Sequence, residues 1–164
     1  MRKFIRTLII ILILASLGSF AYRSSYDNRS ASNLSAYCNI DFRSIIDPST
    51  NKISQVTLSL LDFRFSKQPL ESFCRIDIDG KEYQLDAFET ASQAPTYSLQ
   101  DFSNVNSFKY TNHLIVDFPP QIQKEIAAAK QIKISFQYKG NPTPIELPLS
   151  DVDLTYWKKQ LLLL

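Results

Sequence analysis

The chain opens with an unbroken apolar run. Residues 8–14 read Leu-Ile-Ile-Ile-Leu-Ile-Leu, and Ala15, Ser16 and Leu17 extend the stretch. A core helix would show polar positions at helical spacing, and this segment shows almost none. Arg2, Lys3 and Arg6 precede it, and Ser19-Phe20-Ala21 follow it. A basic start, an apolar middle and small residues at a cleavage point form the layout of a secretory signal, with cleavage after Ala21. The rival reading is an uncleaved anchor. Residues 7–22 number 16, short of the roughly 20 that a spanning helix uses. Phe4 and Ile5 lengthen the span if Arg6 snorkels to the interface. Both readings put the rest of the chain outside the cytoplasm. It is then periplasmic or secreted, or anchored in the cytoplasmic membrane with the domain outside.

Residues 22–37 are rich in Ser and Asn and poor in apolar side chains, which predicts a flexible tether. Asn28 and Asn33 each begin a glycosylation sequon, which chance explains in so Ser-rich a segment. A single domain is expected over 38–164. Period-two patterning then dominates. Val56, Leu58 and Leu60 alternate with Thr57, Ser59 and Leu61, and Phe63 and Phe65 continue an every-second spacing. Cys74, Ile76 and Ile78 alternate with Arg75, Asp77 and Asp79. Asp79-Gly80 is a hairpin turn, and residues 82–85 form the return strand. Residues 88–105 look like a loop. Phe108 and Tyr110 suggest another strand, and Leu114, Val116 and Phe118 alternate cleanly.

The period then changes. Pro119-Pro120 suits a helix start, and Ile122, Ile126 and Ala129 recur on one helical face. Ile132, Ile134 and Phe136 return to strand spacing, Gly140-Asn141 turns the chain, and Ile145, Leu147 and Leu149 come back. Ser150 is a plausible N-cap, with Asp151 and Asp153 at the positive end of a last helix. Leu154, Trp157 and Leu161 give that helix its apolar side. Residues 114–157 thus read as a strand–helix–hairpin–helix module without signature residues. The fold class is α+β, a mainly antiparallel sheet after an N-terminal signal or anchor helix.

Composition narrows the chemistry. The 164 residues carry a net charge of +2 and include 3 Gly, 2 Cys and 1 His. Without the three basic residues of 1–21 the charge is −1. That leaves no evident basic face for nucleic acid and makes an anionic lipid surface a poor partner for the domain. Gly80 and Gly140 both sit at predicted turns, so no nucleotide-binding loop or nucleophile elbow is present. No cofactor and no metal site are expected. Residues 75–86 superficially follow a calcium-loop spacing, but Arg75 stands where a carboxylate is needed.

In an oxidising compartment Cys38 and Cys74 read as a disulfide. It would close a loop of about 37 residues, worth roughly 4 kcal/mol in the chain-entropy model. The aromatic residues are expected to fill the core. Leu161 is expected to pack on the domain, leaving Leu162, Leu163 and Leu164 as a candidate partner contact. The function expected is that of a non-enzymatic binding or accessory domain, exported or membrane-anchored, with an unidentified protein partner. Its contact surfaces would be an exposed strand edge and the C-terminal leucines. The alternative is a small extracytoplasmic hydrolase. It would use His113, or a carboxylate pair drawn from Asp77, Asp79, Glu82 and Asp117.

Overall fold

The computed structural model describes residues 2–27, 38–95 and 109–162. A helix α1 (Arg2–Asp27) leads into strands β1 (Cys38–Asp47), β2 (Lys52–Arg64), β3 (Leu70–Ile78), β4 (Lys81–Gln93) and β5 (Tyr110–Asp117). Helix α2 (Pro120–Ala128), strands β6 (Ile132–Tyr138) and β7 (Ile145–Pro148) and helix α3 (Asp151–Leu162) complete the chain. The seven strands form one antiparallel, curled sheet in the order β1-β2-β5-β4-β3-β6-β7. The architecture is α+β and mainly sheet, as the patterning predicts.

The long strand β4 makes the curl. Residues 81–86 pair with β3, while the part from Ala87 onward pairs with β5. The register shifts between Ala87 and Glu89, and Phe88 is thrown outward. A bulge bends and twists its strand, so the two halves of the sheet face each other across one core. This is also why 88–93 looked like a loop. The extra residue breaks the alternation, and the strand that follows is Thr, Ala, Ser and Gln rather than apolar. Strand β1 is interrupted in the same way, by a register shift at Ile45 and Ile46.

Period-two burial then builds the core. Val56, Leu58 and Leu60, Leu114 and Val116, Cys74, Ile76 and Ile78, and Ile132, Ile134 and Phe136 all point inward. In α2, Ile122 and Ile126 are buried, and in α3, Leu154, Trp157 and Leu161. Ser150 accepts the Asp153 N–H at 3.2 Å and donates to its carboxylate at 2.6 Å, a capping arrangement that fixes where α3 begins. The Trp157 ring then stacks on Phe42 of β1 at 4.3 Å, with Phe118 edge-on to Trp157 at 6.0 Å. Stacked aromatic pairs add about 1 kcal/mol beyond their buried area.

The β3–β4 hairpin grips the second helix. Asp79 and Gly80 both take positive φ, 52° and 89°, the conformation of a tight two-residue turn. The Asp79 carboxylate accepts the backbone N–H groups of Lys130 and Gln131 at 2.9 to 3.1 Å. Glu125 on α2 receives the Tyr83 hydroxyl and the Lys81 ammonium, the latter at 2.9 Å. These bonds, Tyr83 first, hold the Glu125 carboxyl below its ordinary 4.5. The ionised form therefore stabilises the fold fully above pH 4.5, and the contribution vanishes as pH falls through the lowered folded-state value. Urea midpoints of the parent and Glu125→Gln chains should accordingly differ by a constant amount above that pH and converge below it. A difference that widens on acidification would contradict the contact.

Candidate functional site

Helix α1 does not end where its apolar run ends. It continues through Asp27, six residues into the segment expected to be a tether. Tyr26 and Asp27 are buried against the domain. The Asp27 carboxylate accepts the backbone N–H groups of Phe65 and Ser66 at 2.8 and 2.9 Å. Its main-chain carbonyl accepts Arg64 Nη2 at 2.7 Å. The last carbonyls of a helix lack internal partners and carry its negative end, so a buried cation is well placed there.

Arg64 belongs to a polar column inside the sheet. Positions 56, 58, 60, 62 and 64 of β2 all face the core, so Asp62 and Arg64 take the places after Leu60. Phe63 and Phe65 are therefore out of phase with the core residues, contrary to their expected continuation of the strand pattern. Asp62 accepts the Tyr138 hydroxyl at 2.5 Å, and Asn112 donates to the same hydroxyl at 3.3 Å. The Arg64 guanidinium lies 4.1 Å from the centre of the Tyr138 ring. Lys109 is buried with its ammonium 4.0 Å from the Tyr26 ring centre. Cation–π contacts of this kind gain strength when desolvated. The network joins α1, β2, the start of β5 and the end of β6. Its sequence signal was available, because strict alternation from Val56 puts Asp62 and Arg64 on the apolar face.

A second constellation lies on the opposite, outer face. Ser59 Oγ is 2.7 Å from His113 Nε2. Ser59 on β2 and His113 on β5 are diagonal neighbours, because Ser59 pairs with Ile115 and Leu61 with His113. Both are half-buried. His113 thus lies within a strand, and its partner Ser59 was not singled out from the sequence. A serine against an imidazole can act as nucleophile and base. The surroundings do not extend that chemistry. Among the described residues no carboxylate hydrogen-bonds His113. Asp41 stands opposite Ser59 but is paired with Arg43 at 2.5 Å. Strands β2 and β5 are paired on both sides, so their backbone N–H groups at this point serve the ladder rather than an oxyanion hole.

The remaining candidates have other roles. Asp77 accepts the Gly80 N–H at 2.8 Å, Glu82 lies 3.6 Å from Arg75, and Asp117 accepts Gln55 Nε2 at 2.7 Å. Together with Asp79, these acids secure turns and strand neighbours. No group of three or more potential metal ligands occurs among the described residues.

The expected disulfide is corrected. Cys38 on β1 and Cys74 on β3 are both buried and not joined by a disulfide, with β2, β5 and β4 between their strands in the sheet order. Burial pushes the Cys74 thiol up to about 12, so it stays protonated and unreactive. Of the candidate contact residues, Leu162 closes α3, and Leu163 and Leu164 lie outside the described residues, as do both sequons. A hollow of about 890 Å³ opens between the β1–β2 turn and α2, lined by Ile53, Phe118, Lys124 and Leu161 among others. Neither a scan against models of known protein families nor a search of curated proteins finds a match to this chain.

The docked helix end is thus the most elaborated polar site among the described residues. Asp27→Ala removes the acceptor of two backbone N–H groups and a carboxylate 3.9 Å from Arg64 Nε. Leaving a buried charge without its partner costs about 3 kcal/mol. Urea unfolding of the full chain in detergent, followed through Trp157 fluorescence, should show that loss. A change within experimental error would mean that the helix end is not docked.

Proposed function

We propose that the chain is a membrane-anchored binding domain, with α1 spanning the cytoplasmic membrane and the α+β domain held outside it. One observation carries this reading. The helix segment Ile5–Asp27 contains an 18-residue stretch of mean hydropathy 2.0, is long enough to cross a bilayer, and has none of that stretch covered by the domain. A helix left bare over that length needs an apolar solvent. Its far end is tied to the domain by buried contacts, which favours retention over release. Arg2, Lys3 and Arg6 at the other end favour the cytoplasmic side for the N-terminus.

The domain acts through protein contacts. Among the described residues, strand β1 is an edge strand of ten residues, paired with β2 alone, with Ile45 and Ile46 exposed. An unpaired edge of that length is a template for strand addition by a partner. The chain, expressed in a bacterial host, should stay in the membrane pellet through an alkaline carbonate wash, and external protease should digest the domain in spheroplasts. A soluble product beginning at Tyr22 would overturn the anchor, and a protected domain would overturn the orientation.

A second reading is kept because of the short contact between Ser59 and His113. In it the domain is a small extracytoplasmic hydrolase with Ser59 as nucleophile and His113 as base. It requires covalent labelling by a fluorophosphonate probe that Ser59→Ala and His113→Ala both abolish. The binding reading predicts no labelling of Ser59 in the folded chain.

A further inference from the structure

The docked end of α1 decides where a bilayer meets the domain. Residues 5–22 form 18 residues of helix, about 27 Å at the helical rise, against a hydrocarbon core of about 30 Å. Every side chain in that stretch is exposed. The apolar span therefore ends at Tyr22 and Arg23, and there the domain begins. The Phe65 ring lies 6.0 Å from Tyr22 and 5.2 Å from Tyr26, edge-on to both. The Arg23 guanidinium is 5.4 Å from the centre of the Phe65 ring. Residues 65–69 connect β2 to β3, and Ser66, Lys67 and Pro69 of that connection are exposed. The β6–β7 turn is bonded to the same connection. Lys139 N–H donates to Pro69 O at 2.9 Å, and Gln68 Nε2 to Lys139 O at 2.6 Å.

Three exposed cations, Arg23, Lys67 and Lys139, are thus carried by segments that meet next to the Phe65 ring, where the bare apolar helix gives way to the domain. The acid nearest in sequence to this connection is Glu71, half-buried at the start of β3. Aromatic rings and cations are the side chains that prefer the headgroup layer. Asp27 grips the backbone of this same connection at Phe65 and Ser66, so the surface cannot swing away from the helix that would place it.

We propose that the face formed by Arg23, Phe65, Lys67 and Lys139 rests on the lipid headgroup layer and binds anionic phospholipid headgroups, held there by the docked end of α1. The proposal rests on the anchored reading. It also amends the expectation that an anionic lipid surface is a poor partner. A near-neutral total hid the patch, because its three cations come from distant parts of the chain.

The test uses the full chain in vesicles carrying a nitroxide on the lipid headgroup. A fluorophore is attached at Lys67→Cys or, as a distal control, at Asn51→Cys in the β1–β2 turn. The parent chain, whose thiols are buried, gives the labelling background. Position 67 should be quenched several-fold more than position 51. Adding phosphatidylglycerol to phosphatidylcholine vesicles should strengthen quenching at 67, and high salt or Lys139→Glu should weaken it. Equal quenching at both positions in chains that float with the vesicles overturns the headgroup face and leaves the anchor standing. Quenching at 67 that ignores anionic lipid overturns the anionic specificity. Failure to float with the vesicles overturns the anchored reading itself.

Discussion

Arg64 is only 3% exposed, and its charge constrains the structure around it. A guanidinium taken out of water costs several kcal/mol unless charge and hydrogen bonds are supplied in place of solvent. The supply here comes from three parts of the chain. Asp27 and the last carbonyl of α1 approach from the helix, and the Tyr138 ring covers the guanidinium from β6. Asp62, one inward position earlier on β2, holds the Tyr138 hydroxyl in place. The satisfaction is partial: Arg64 Nη2 is hydrogen-bonded, while Nε and Nη1 have only the Asp27 carboxylate at 3.9 Å and the Tyr138 ring close by. Helix α1 is consequently part of the domain at its C-terminal end, whatever surrounds its apolar length.

The curled sheet makes that arrangement available. The bulge at Phe88 lets one strand serve both halves, so β2 and β6 face each other across a shared interior although β5, β4 and β3 separate them in the sheet. Apolar side chains fill most of that interior. Polar ones fill the end nearest α1, where Asn112 and Lys109 join the column from β5 and the turn before it. The opposite ends of the strands are held by local polar bonds at the turns, such as Asp79 on the chain leading into β6. The Ser59–His113 contact sits on the ladder's outer face, where the backbone donors that acyl transfer needs are already engaged.

Part of this was legible in the residues alone. The apolar run of α1, the hairpin at Asp79-Gly80, the stripe of α2 and the cap of α3 are local features, set by neighbours a few positions apart. Local sterics and periodicity suffice for them. Strand β1 and the second half of β4 were not legible, because a bulge shifts the phase of side chains and hides the period. The disulfide expectation failed for a related reason. Cysteine count and an expected oxidising compartment favour a pair, but distance is decided by where the curled sheet carries β1 and β3, which is a global property.

The sequence by itself determined the membrane-compatible helix, the α+β class and most of the core, because hydrophobic period reports burial directly. Strict alternation from Val56 also carried the signal that Asp62 and Arg64 face the core, but the every-second spacing of Phe63 and Phe65 pointed the other way. Only the tertiary structure decided that the partners of Asp62 and Arg64 are Asp27, Tyr138 and Asn112, that Ser59 meets His113, and that the segments carrying Arg23, Lys67 and Lys139 meet. Those contacts join residues dozens of positions apart, and their geometry follows from how the sheet curls rather than from any local pattern.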